Sequence, residues 1–154
     1  MVSAAIIAPM VAALALPSGP TAQAASDQAL FDQAFRFCLA TFEARASGAA
    51  APEGLDWNGR PGVPLGVWDR ERSFVMLSAD ECVVTQDRSA PAIAAELPAT
   101  LESLGFSPNP EAGAGLQNTR IWDRPPLRIA VEQVTERRTG GRMTVVVGMA
   151  KETD

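Results

Sequence analysis

The stretch Ser73 to Gln86, SFVMLSADECVVTQ, constrains the fold more than any other part of the chain. Phe74 to Leu77 form one short apolar run and Cys82 to Thr85 a second, with Ser78-Ala79-Asp80-Glu81 as the turn between them. Alternate residues of a strand point to opposite faces of its sheet, so runs that are apolar at both parities predict a central hairpin with one side covered by helices. Cys82 opens the second strand, and the chain has one other cysteine, Cys38, with which it can pair.

Cys38 falls on a helical stripe. Ser26 or Asp27 is placed to cap a helix running to about Arg45, in which Phe31, Phe35, Cys38 and Phe42 recur at the spacing of one face. Leu30, Ala34 and Phe37 widen that face, while Asp32, Arg36 and Glu43 lie mostly off it. A line of phenylalanines at this spacing reads as core. Both cysteines therefore face the same interior, and in an exported chain an even pair so placed predicts a Cys38–Cys82 disulfide.

Export is itself an expectation of the sequence. Ala4 to Leu16 is an apolar run too short for the ~20 residues of a spanning helix; Pro17, Gly19 and Pro20 break it, and Ala22-Gln23-Ala24 offers small-x-small cleavage. No Lys or Arg precedes the run, which leaves the terminal amine as its only cation. Residues 1–24 are read as a secretory signal and 25–154 as one domain, periplasmic or secreted from a bacterium, with no membrane segment after cleavage. Twelve of the thirteen basic residues are Arg, yet the formal charge is −5, a balance that argues against binding nucleic acid or an anionic membrane.

The rest of the chain alternates loops with regular elements. Ser47 to Gly66 is rich in Gly and Pro and reads as low in regular structure, with Trp57 in its middle. Leu65 to Arg70 is a strand, and with the hairpin it makes a three-stranded meander. Ser89 is placed to cap a second helix, in which Ile93, Leu97, Leu101 and Leu104 keep one phase through Pro98; that predicts a single kinked helix ending at Gly105. After a loop from Phe106 to Asn118 come strands at 119–124, 127–131 and 143–149, the last two joined by a turn at Thr139-Gly140-Gly141.

Val67-Trp68-Asp69-Arg70 and Ile121-Trp122-Asp123-Arg124 match at an offset of 54 (68 to 122), each followed by an apolar strand. The order helix, loop, three strands is thus written twice, by internal duplication or by coincidence of rhythm. The expected fold is α+β: an antiparallel sheet of about six strands with two helices on one face, and Arg128, Glu132, Thr144 and Val146 on the other.

The chain contains no His and no Tyr. That removes His-based triads, His-rich zinc sites and the commonest general base. No glycine cluster opens a helix as a phosphate loop does. No cofactor or metal is expected, and no catalytic set is assigned. Carboxylate chemistry would have to draw on Asp69, Asp80, Glu81 and Asp123 near strand ends, where such residues are ordinarily solvated or bind local amides. The leading expectation is a non-catalytic binding or interaction module of the cell envelope, its partner an unidentified protein or small molecule. A carboxylate hydrolase and an inhibitor or immunity-type protein are the alternatives. A ligand site is expected where the two loops meet, with Trp57, Trp68 and Trp122 as walls, Arg70 and Arg124 as anion contacts, and Arg72 as a further cation.

Overall fold

The computed structural model describes residues 20–52, 55–57, 60–63, 65–67, 73–87, 89–135 and 141–150; for 20–26 and for the strands between 55 and 67 it describes the backbone alone. Two helices, α1 (Pro20–Ser47) and α2 (Ala90–Ser103), accompany nine strands. In chain order these are β1 (Leu55–Trp57), β2 (Arg60–Val63), β3 (Leu65–Val67), β4 (Phe74–Leu77), β5 (Glu81–Gln86), β6 (Ser107–Pro108), β7 (Thr119–Arg124), β8 (Leu127–Val134) and β9 (Arg142–Met149). The class is α+β, with a seven-stranded antiparallel sheet in the order β3-β4-β5-β9-β8-β7-β6.

The hairpin β4–β5 lies inside the sheet, as its apolar runs predict, with β9 beside β5. Val75, Cys82, Val84, Met143, Val145, Val147, Leu127 and Ile129 share one pleat face and are buried. Onto them α1 lays Phe31, Phe35, Cys38 and Phe42, all buried, with the Phe31 and Phe35 rings stacked at 6.1 Å. The Cys38–Cys82 disulfide joins this stripe to β5 across a Cα–Cα distance of 5.4 Å. Closing a loop of 44 residues contributes about 4 kcal/mol in the chain-entropy account.

Polar contacts fix the direction of both helices. At one end of the molecule the Ser89 hydroxyl, just before α2, donates to the Asp27 carboxylate near the start of α1 (3.1 Å). At the other end the Arg124 guanidinium donates to the Leu104 carbonyl, just past α2 (2.8 Å), and to the Glu43 carboxylate near the end of α1. Arg45 donates there to the carbonyls of Ser78 and Ala79 in the β4–β5 turn. The helices therefore run in the same direction. In α2 the chain continues as one helix through Pro98, and Gly105, at φ +83°, supplies the left-handed residue that ends it.

Several local expectations are corrected. Ser89 does hold the N-cap position of α2, its carbonyl accepting from the Ala92 and Ile93 amides, but at φ 59° its hydroxyl makes no cap bond and donates to Asp27 instead. The loop 47–66 is not without regular structure, because β1 and β2 pair as a hairpin, Leu55 with Val63 and Trp57 with Arg60. The sheet gains a seventh strand because Ser107 and Pro108 pair with Asp123 and Trp122; an edge position suits a proline that has no N–H to donate. α1 starts earlier than expected, so the cleavage point after Ala24 falls within its first two turns, while residues 1–19 of the expected signal lie outside the described residues. The turn residues Thr139 and Gly140 also lie outside them; Gly141 holds φ +101°, with the Val134 carbonyl 2.6 Å from where a Cβ would stand.

The two-fold rhythm of the sequence has a limited structural counterpart. The sheet reads as two meanders meeting at β5 and β9, the order a two-fold axis through that pair would give. Such an axis would run α2 opposite to α1, whereas the two are parallel. The tetrapeptide match is also out of register. Val75 and Ile129 are equivalent at the offset of 54, yet Val75 pairs with Gly66 and Ile129 with Trp122. The ladder thus sets Gly66, rather than Trp68, where Trp122 stands.

Candidate functional site

Among the described residues the expected site is not gathered on one edge. Trp68 and Arg70, with Asp69 and Arg72, lie outside the described residues. Trp57 belongs to β1, which packs beside β3, while Trp122 and Arg124 belong to β7. β3 and β7 are five strand spacings apart, about 24 Å of sheet. Both loops leave from the same end of the helical layer, but the topology sends them to opposite edges. Trp122 is buried on the helix-facing side. Arg124 is committed internally, bonded to Leu104 and Glu43 with its guanidinium 4.5 Å above the Phe106 ring, and ties both helices to β7.

The candidate carboxylates among the described residues, Asp80, Glu81 and Asp123, have local partners or open solvent. Asp80 and Glu81 are exposed in a turn that the Ser78 hydroxyl organises by accepting from both of their backbone amides. Asp123 is gripped by two nearly parallel bonds from Arg128, at 2.7 and 2.8 Å, and by the Asn109 side-chain amide at 2.7 Å. Those bonds, Arg128 foremost, hold the Asp123 carboxyl below its ordinary range against the opposing effect of burial, and they raise the guanidinium in turn. A carboxylate kept ionised in this way is a poor general acid at neutral pH.

What the structure does assemble is a groove of about 350 Å³ between α2 and the strands β7 and β8. Its size lies near the lower bound for small-ligand sites. Ala94, Leu97, Pro98 and Leu101, spaced on one side of α2, form one wall. Arg120, Trp122, Val131 and Gln133 form the other, and strand alternation puts them on the same face: Arg120 pairs with Val131, and Trp122 is two residues on. Asn118, Thr119 and Thr135 complete a polar rim. Among the described residues no carboxylate lines the groove. Arg120, exposed and lining the groove, makes no ion pair or hydrogen bond with any described residue.

A second groove, of about 420 Å³, runs between the helices and is lined by Asp32, Arg36, Glu43 and Glu96 above Phe35, Leu39 and Leu104. No group of His, Cys, Asp and Glu among the described residues is arranged to hold a metal ion. Comparison of the chain with protein-family models, with curated proteins and with solved structures finds no match.

Of the expected site residues whose side chains are described, Trp122 lines the first groove and Arg124 does not. Arg120 carried a readable signal: it alternates in step with Trp122 and Arg124 along β7, and an alternating strand must share a face among them. The sequence offered no means of knowing that α2 covers that face loosely.

Proposed function

We propose that the protein is an exported, non-catalytic binding module whose groove between α2 and β7–β8 receives a small amphipathic ligand. The observation that carries this reading is the Arg120 guanidinium, without a partner among the described residues, in a pocket whose apolar lining includes Trp122, Leu97, Pro98 and Val131. Ligand sites combine such an apolar interior with a few orienting polar groups. Export is supported by the apolar start of the chain, the Ala22-Gln23-Ala24 site and the disulfide, which suits an oxidising compartment such as the periplasm or the exterior. An inhibitor or immunity-type role is the second reading, favoured by the acidic groove between the helices, where Asp32, Glu43 and Glu96 would face a basic partner.

Titration of the disulfide-bonded protein with small carboxylates, amines and neutral alcohols, each bearing one apolar group, tests the leading reading. Backbone amides of residues 97–101, 119–122 and 131–135 are expected to shift saturably, carboxylates acting at the lowest concentration. Saturable shifts confined to other surfaces, or chemical turnover of the added compounds, would contradict it.

A further inference from the structure

We infer that the groove holds the C-terminal end of an extended peptide whose last side chain is apolar. This rests on the binding role just described and specifies its ligand. Three groups on the groove walls ask for three different features. Arg120 has no partner among the described residues and no carboxylate beside it in the lining, so it calls for an anion. Val131, Ala94 and Pro98, all half-buried, offer apolar surface in the same lining, beside the small exposed edges of Trp122 and Leu97. The third feature comes from Pro98, which has no N–H and so cannot donate to the carbonyl of Ala94, four residues earlier in the same helix. Ala94 and Pro98 both line the groove, and the α-helical donor of this wall's backbone acceptor is therefore missing. That acceptor calls for an N–H.

A peptide C-terminus carries all three features on one residue: a carboxylate, a side chain and the backbone N–H that precedes them. A fatty carboxylate has the anion and the apolar body but no donor. A phosphate ester draws its affinity from clustered cations, and one guanidinium is a poor match to it. An anion recognised chiefly by one arginine also fits a chain of net charge −5, which repels anions elsewhere.

The test uses an N-acetylated tripeptide ending in leucine, the same peptide as its C-terminal amide, and a third form methylated on its last backbone nitrogen. Binding is read from the amide shifts of residues 97–101 and 119–122 in the disulfide-bonded protein. The free acid is expected to bind roughly fivefold tighter than the amide and roughly threefold tighter than the methylated form. In Arg120→Gln, an exposed substitution that leaves the core untouched, acid and amide should bind alike. If acid and amide bind the wild type equally while the groove amides still move, the carboxylate assignment is wrong and the groove remains a ligand site. If no peptide moves these amides but other small amphipathic compounds do, the peptide inference fails and the binding role stands. If nothing moves them, the binding role itself is lost.

Discussion

Two grooves flank α2, and they differ in charge far more than in size. The one facing α1 encloses about 420 Å³ and carries Asp32, Glu43 and Glu96 with one guanidinium, Arg36. The one facing β7 and β8 encloses about 350 Å³ and carries Arg120 with no carboxylate among the described residues. Volume does not choose between them; the sign of the lining does. In a chain of net charge −5 an acidic groove continues the general surface, whereas a cation with no partner among the described residues, lining the same groove as a tryptophan, marks a local exception. The two also differ in how they are walled. α1 is bonded covalently to β5 and sealed by its phenylalanine stripe, while α2 is held at its end by Arg124 and interrupted by Pro98 beside the groove.

The largest expected effect separates those walls. Replacing Cys38 and Cys82 together by Ala should lower stability by about 4 kcal/mol in urea unfolding. In the variant that still folds, amides of residues 32–43 beside the acidic groove should be disturbed more than those of 119–122 beside the basic one. Equal disturbance would mean that the two walls are not independent.

Arg124→Met comes next. Arg124 bonds Leu104 and Glu43 and covers Phe106, so its loss should cost roughly 1–2 kcal/mol while keeping most of the apolar stem. It also releases the Glu43 carboxylate into the acidic groove, which should tighten binding of a cationic probe such as spermidine there. An unchanged unfolding midpoint would show that the clamp contributes nothing.

A smaller effect concerns Asp123, which lies on the face of β7 turned away from both grooves. Its carboxyl is held below the ordinary value of 3.8 by Arg128, so the unfolded chain takes up its proton at a higher pH than the folded one. The stabilisation is therefore complete above that value and disappears as pH falls through the lower folded one. Asp123→Asn should flatten this segment of the stability–pH curve below about pH 4 and leave both grooves unaltered near neutrality. A variant that follows the wild-type curve through the same range would disprove the assignment.

How much of this was legible in the sequence follows from the range of the forces involved. The α1 stripe, the Cys38–Cys82 bond, the β4–β5 hairpin and the passage of α2 through Pro98 were readable, because periodicity and burial act over neighbouring residues. The placement of the loops was not. It depends on β5 pairing with β9, and strands apolar on both faces do not announce their partners. Trp57 and Trp122 were consequently expected together and stand at opposite edges. The hairpin of β1 and β2 was overlooked although Asn58-Gly59 between them is a hairpin dipeptide; the prolines around it suggested a loop. Ser89 takes the expected N-cap position, but its hydroxyl goes to Asp27, a partner 62 residues away that local rules do not see. Arg120 drew no reading from the sequence, since only the packing of α2 turns its face into a groove.

The most direct measurement compares the two cations that define the two grooves. Arg120→Gln and Arg36→Gln both replace exposed guanidiniums, and each should change stability by no more than about 0.5 kcal/mol. Each variant and the wild type would be titrated with the acetylated tripeptide ending in leucine. The predicted result is weakened binding, roughly fivefold, in Arg120→Gln and unchanged binding in Arg36→Gln. Equal affinity in all three proteins, or a loss confined to Arg36→Gln, would contradict the account.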